Sequence, residues 1–180
     1  MHVTPTALPD VKIVELESYP DERGCFMEMY NKRAFAAAGI TAELVQDNCS
    51  RSRQNVLRGL HYQVRQSQAK LVRVTSGEIL DIAVDLRRRS PTFGRWVAVI
   101  LSADRHRVLW IPEGFAHGFV ARSASAEVVY KTSDYYAPAH ERTIAWDDPD
   151  LAIDWQLPGP PLLSAKDRTG IAFRDAEVFE

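Results

Sequence analysis

The chain has 180 residues, 46% hydrophobic and 26% charged, and its 22 lysines and arginines against 24 acids leave a formal charge of −2. That length suits one domain with a substantial core, and the composition is that of an ordinary globular protein. No basic excess points to nucleic acid, so an anionic ligand has to be met by a local cluster of cations. Met1 to Leu16 lacks the apolar core of a secretory signal, and the longest apolar run, Trp96 to Leu101, is too short to span a bilayer. Cys25 and Cys49 form no CxxC motif and read as reduced thiols. The expectation is a soluble cytoplasmic protein with no membrane or nucleic-acid partner.

In chain order, Val11 to Leu16 alternates apolar and polar residues and predicts a first strand. Pro20 to Gly24 is a turn cluster, and Cys25 to Tyr30 is strand-like. Asn31 can cap a short helix over Lys32 to Ala38, with Gly39 ending it. Leu71 to Thr75 and Ile79 to Asp85 predict two strands joined by the turn Ser76-Gly77-Glu78. Arg87, Arg88 and Arg89 read as a solvated turn before Pro91. Trp96 to Leu101, Arg107 to Ile111, Phe115 to Val120, Val128 to Ser133 and Thr143 to Trp146 predict further short strands. After Asp147 the proline-rich tail reads as loops with a helical turn. No repeat or linker divides the chain, so residues 1–180 are expected to form one domain, a β-sandwich or barrel whose mouth offers a pocket.

The chemistry concentrates in Asn55 to Gln63 together with Lys70. Leu57, Leu60, Leu71 and Val72 read as core anchors, and Gly59 lets the backbone pass tightly. Arg58, His61 and Lys70 lie among them, and such groups are costly to bury without a partner. An anionic ligand or a reacting carbonyl supplies one; the ordinary alternative is two surface cations and a core histidine. Since alternate residues of a barrel strand point inward, Arg58 does not automatically share the face of His61, and Gly59 is where the alternation can be reset. A cupin-like metal site wants a His-x-His pair, but Gln63 stands two residues after His61, so His61 and His117 make a poor ligand set. Acid–base chemistry fits better. His61 is a candidate general base; Tyr130 can give or take a proton if it faces the pocket, its ordinary alternative being a packed core tyrosine; and Asp167, by itself an exposed loop acid, is a carboxylate that can orient a histidine. Tyr135 and Tyr136 offer a flat ring for a nucleobase, whereas Trp110 and Trp155 are expected in the core.

These residues sit in a longer pattern. Arg23-Gly24, Glu28, Gln46-Asp47-Asn48, Arg58-Gly59-Leu60-His61, Ala69-Lys70-Leu71-Val72-Arg73 and Ser90-Pro91-Thr92-Phe93-Gly94 are followed by Trp110 to Phe119. Tyr130-Lys131, Tyr135-Tyr136 and Leu163-Ser164-Ala165-Lys166-Asp167 complete it. In order and over nearly the whole chain, the pattern resembles the dTDP-4-dehydrorhamnose 3,5-epimerase family. The resemblance implies a mostly β, cupin-type jelly-roll barrel with short peripheral helices, forming a homodimer. It also implies a cofactor-free and metal-free isomerase acting on dTDP-4-dehydro-6-deoxy-D-glucose, a dTDP-linked 4-keto-6-deoxyhexose, on the route to dTDP-L-rhamnose. His61 is then the base, Asp167 its partner and Tyr130 the acid on the opposite sugar face, while Lys70, with Arg58, stabilises the enolate. Arg23, Glu28, Gln46, Asn48, His117, Glu141 and Lys166 would contact sugar or diphosphate, with Tyr136 stacked on thymine. Cys25 departs from the aromatic residue common after Arg-Gly in the family, and a change in affinity or in nucleotide preference is the expected consequence if that side chain helps shape the nucleotide site. Three alternatives stay open: an epimerase of C3 or C5 alone, a non-catalytic sugar-nucleotide-binding barrel, and a metal-dependent oxygenase, the last opposed by Gln63.

Overall fold

The computed structural model describes Met1–Glu180. In chain order the first strands are β1 (His2–Pro5), β2 (Lys12–Glu15), β3 (Tyr19–Asp21) and β4 (Gly24–Phe26), followed by the helix α1 (Lys32–Ala37). Then come β5 (Gln46–Arg53), β6 (Leu57–Gln63), β7 (Lys70–Ser76), β8 (Glu78–Asp85) and β9 (Trp96–Ser102). The last four are β10 (Arg107–Ile111), β11 (Phe115–Ala121), β12 (Ser125–Thr132) and β13 (Glu141–Thr143). They form a six-stranded sheet, β1-β2-β10-β7-β12-β5, and a five-stranded sheet, β13-β6-β11-β8-β9, with β3 and β4 as a separate hairpin. All pairings within the sheets are antiparallel, and the two sheets face each other as a jelly roll.

The apolar pattern of each strand dictates three layers of core. Between the sheets, Val72, Val74 and Leu109 from one meet Ile79, Ala83 and Phe119 from the other. The outer face of the five-stranded sheet carries Leu60, Leu80, Ile82 and Val84, and the C-terminal segment covers it with Leu151 and Trp155. The outer face of the six-stranded sheet offers Val14, Leu71 and Trp110 to Phe35 of α1 and to Ile40. β8 is therefore buried on both faces, which is why it reads as an almost unbroken apolar run. Trp110 and Trp155 are core residues, as their sequence context suggested.

Several elements differ from the sequence expectation. β1 precedes the strand expected to be first; its residues are largely exposed and carry no alternation to detect. β4 stops at Phe26, short of the expected Tyr30, and β13 begins at Glu141 and ends at Thr143 where a strand to Trp146 was expected. The helix forms as expected, with the Asn31 side chain accepting from the amides of Arg33 and Ala34. The arginine turn needs the larger correction. Arg87 is not simply solvated: its guanidinium donates to Asp85, which is fully buried, and lies 4.7 Å from the centre of the Phe115 ring. Ser90 and Thr92 also donate to Asp85, at 2.5 and 2.6 Å, so this network pins the loop after β8. Cys25 and Cys49 are both free and exposed. No helix is long and apolar enough to cross a membrane.

Candidate active site

β6 and β11 build the floor of the site, and two glycines decide how. His61 lies opposite His117, while Arg58 lies opposite Phe119, so three steps along β6 match two along β11. This bulge resets the alternation, and Arg58 and His61 both face one cavity. The strands come together at Gly59 and Gly118. A Cβ on Gly59, whose φ is +131°, would fall 2.5 Å from the Gly118 Cα, and one on Gly118 would fall 2.8 Å from the Arg58 carbonyl oxygen. Only glycine fits at either place.

His61 stands 2.6 Å through Nε2 from Oδ1 of Asp167, whose side chain is 3% exposed. The Ser164 hydroxyl donates to the other carboxylate oxygen at 2.6 Å, and the Gly59 amide donates to Oδ1 at 3.3 Å. Burial alone would raise the Asp167 pKa, but the bonds from His61 and Ser164 outweigh it and hold the carboxyl at about 2. An ionised Asp167 keeps the proton on Nε2 and leaves Nδ1 with its lone pair. Deeper, His117 bonds both oxygens of the fully buried Asp81 through Nε2, at 3.0 and 2.9 Å. Lys70, the first residue of β7 in the facing sheet, is also buried at the cavity; burial lowers its pKa to about 8 against the opposing pull of Asp81 and Glu141. Tyr130 lines the wall from β12, its pKa raised mainly by burial, with Arg58 acting the other way, so it holds its proton at neutral pH.

The mouth is polar. From β5, Gln46 donates to Asn48, and its carbonyl oxygen accepts from the Tyr136 amide at 3.0 Å. Glu141 accepts from the Tyr136 hydroxyl at 3.0 Å and from Lys166 at 2.8 Å. Burial raises the Glu141 pKa, but Lys166 and Tyr136 bring it below the usual value. Arg58 is steadied by Ser52, which accepts from its Nε at 3.0 Å. The cavity so enclosed is about 350 Å³, enough to take a small ligand.

Ten of the thirteen expected site residues line this one cavity: Gln46, Asn48, Arg58, His61, Lys70, His117, and, nearer the mouth, Tyr130, Tyr136, Glu141 and Lys166. Asp167 backs His61 from behind. Arg23 and Glu28 do not line it: Arg23 pairs with Asp21 at the β3–β4 turn, and Glu28 accepts from Asn31. Asp81 and Ser164 belong to the constellation but were not singled out from sequence. The shared face of Asp81 and Ala83 in an apolar strand was the available signal for the first; Ser164 lay within the motif that supplied Asp167. No group of three or more His, Cys, Asp or Glu side chains is placed to hold a metal ion.

The family model described as dTDP-4-dehydrorhamnose 3,5-epimerase matches residues 5–175. The dTDP-4-dehydrorhamnose 3,5-epimerase of Pseudomonas aeruginosa is 59% identical over 180 residues, covering 99% of each chain. A dTDP-6-deoxy-D-glucose-3,5-epimerase of Legionella pneumophila, solved in complex with dTDP-4-keto-L-rhamnose, superposes with a TM-score of 0.95 at 48% identity, over 98% of this chain and 94% of the other. A 3'-monoepimerase from Streptomyces bikiniensis, solved with dTDP-quinovose, is more distant, with a TM-score of 0.87 at 34% identity over 96% and 87% of the two chains. Sequence, fold and the contents of the cavity thus lead to one assignment: the chain belongs to the dTDP-4-dehydrorhamnose 3,5-epimerase family.

Proposed function

We propose that the protein inverts C3 and C5 of dTDP-4-dehydro-6-deoxy-D-glucose, giving dTDP-4-dehydro-L-rhamnose by proton transfer through an enolate. The observation that carries this reading is the convergence of the His61–Asp167 pair, the protonated Tyr130 and the buried Lys70 on one cavity. Protons at C3 and C5 both lie alpha to the C4 ketone, so removing either gives an enolate delocalised onto the same oxygen. His61 Nδ1 takes the proton, and Asp167 stabilises the imidazolium that forms. Lys70, with Arg58, meets the oxyanion; losing one such donor typically costs roughly 2.7–4 kcal/mol. Tyr130 returns a proton to the opposite face, which inverts the centre. No redox cofactor is needed. Tyr136 offers its ring to thymine, while Gln46, Asn48, His117, Glu141 and Lys166 serve sugar and diphosphate.

The same reading makes the active form a homodimer in the cytoplasm. Its support is the β3–β4 hairpin, where Phe26 is 70% and Tyr19 56% exposed, an apolar pair that a second copy would cover. Arg23 and Glu28, on and beside that hairpin, then act at a neighbouring cavity.

Turnover of the dTDP-sugar in D₂O tests the function. Deuterium is expected at both C3 and C5, and Tyr130→Phe should wash label in while forming much less epimer. Label at C3 or C5 alone would make the protein a monoepimerase, as the S. bikiniensis relative is; label at neither would leave a binding protein.

A further inference from the structure

Gln63 breaks the histidine pair of a metal-binding barrel, and the acid–base chemistry gives it no work. Its side chain is nevertheless buried, at 3% exposure, beside the cavity. Two of its three bonds run to the loop that carries Tyr136, and the third ties it to the β6–β7 loop. The amide nitrogen donates to the Tyr135 carbonyl at 3.2 Å and to the Gln66 carbonyl at 2.7 Å, while the amide oxygen accepts from the Ala137 N–H at 2.8 Å. The peptide groups on both sides of Tyr136 are thus held by one side chain. Gln46 takes the Tyr136 N–H itself, so two glutamines fix three backbone groups of this loop. Tyr136 is 55% exposed and its ring has one polar tether, from its hydroxyl to Glu141; its placement over the mouth therefore depends on the backbone beneath it.

We propose that Gln63 is a positioning residue for nucleotide recognition: it holds the loop Asp134–Ala137 so that the Tyr136 ring is presented, ready-made, as the shelf for the base of a nucleoside diphosphate sugar. The proposal rests on the reading of Tyr136 as the stacking residue. A flat ring gains from a nucleobase only if it is already in place, since ordering a mobile loop on binding cancels part of the contact. The position two residues after His61 thus serves binding of the nucleotide half of the ligand instead of coordination. Glutamine suits it because it meets a carbonyl and an N–H of this loop together with the Gln66 carbonyl of the β6–β7 loop, two acceptors and one donor, which an amide matches and an imidazole does not.

Four proteins test this with dTDP as the probe: the unmodified chain, Gln63→Met, Tyr136→Ala and the double variant. Gln63→Glu serves as a second version, since it keeps the acceptor for Ala137 while setting a carboxylate against two carbonyls. Calorimetric Kd values should rise about tenfold for Tyr136→Ala and about fivefold for Gln63→Met or Gln63→Glu. In turnover, KM should rise far more than kcat falls. The double variant should bind no worse than Tyr136→Ala alone, because once the ring is gone its support has nothing to hold. Additive losses would mean that Gln63 touches the nucleotide directly and would overturn the proposal. So would unchanged dTDP affinity in the Gln63 variants while Tyr136→Ala still weakens it. If Tyr136→Ala itself leaves dTDP binding unchanged, the stacking reading fails first and takes the proposal with it.

Discussion

Replacing Asp167 by Asn tests the proposed base most directly, because the change removes a charge and almost no volume. The carboxylate is buried and spends its oxygens on His61, Ser164 and the Gly59 amide. Asn can satisfy only part of that set. If its NH₂ faces His61, two donors oppose each other and the ring is driven to the tautomer with its proton on Nδ1, the nitrogen needed as base. If its carbonyl faces His61, the tautomer survives, but the imidazolium loses its counter-ion. Holding the carboxyl at about 2 instead of 3.8 corresponds to about 2 kcal/mol in favour of the ionised form. A charge-assisted bond is worth about 1.5–3 kcal/mol. The loss in the transition state is therefore about 2–4 kcal/mol, or roughly 30- to 1000-fold in kcat. KM and dTDP affinity should stay within a few-fold, since Asp167 lies behind the cavity wall. Deuterium exchange by NMR, with dTDP binding as the check on folding, reads both. A variant that binds dTDP normally and turns over within tenfold of the unmodified protein would refute the His61–Asp167 pair as the catalytic base.

Lys70 should set an alkaline limit: with its pKa lowered to about 8, turnover should fall as pH rises through that value, and Lys70→Arg should carry the limb upward. A limb that does not move would assign it to another group. Away from the cavity, Asp85→Asn breaks a buried network around Arg87, which should cost about 3–5 kcal/mol and lower Tm by roughly 10 °C, with kcat per folded molecule unchanged. Asp85 titrates at about 2 in the folded protein. Its stabilisation is therefore complete above the unfolded value near 4 and disappears as pH falls toward 2, so the variant should show a flatter acid limb of stability by calorimetry.

How far the sequence alone disclosed the fold depends on where each strand hides its side chains. β8 and β11 are buried along nearly their whole length, and their apolar runs announce them. β5 is the opposite case. Gln46, Asp47, Asn48, Cys49, Ser50, Arg51, Ser52 and Arg53 contain no apolar alternation, because one face of the strand looks into the polar cavity and the other into solvent. Hydrophobic periodicity cannot register such a strand; its register with β12 comes from the ladder alone. Its polarity was a sign of the site, not of a loop. The arginine turn failed for a related reason. Nothing in Arg87-Arg88-Arg89 distinguishes the residue that reaches a buried aspartate from its exposed neighbours.

The site was legible where chemistry and spacing coincide, and hidden where only the third dimension joins the parts. His61, Lys70 and Tyr130 are residue types that are expensive to bury without a purpose, so their apolar surroundings drew attention to them. Asp81 and His117 are separated by 36 positions in sequence, and only the pairing of β8 with β11 sets His117 opposite Ala83, next in line to Phe119 opposite Asp81. The glycines joined the two kinds of information. Gly59 suggested a tight passage, but the need for a second glycine at the same point, Gly118, follows only from the approach of β6 to β11. A side chain at either position would push these strands apart, undo the bulge and turn Arg58 or His61 out of the cavity. The pair thus links a backbone requirement to the chemistry: the base faces the cavity together with Arg58 because two strands touch where neither carries a Cβ.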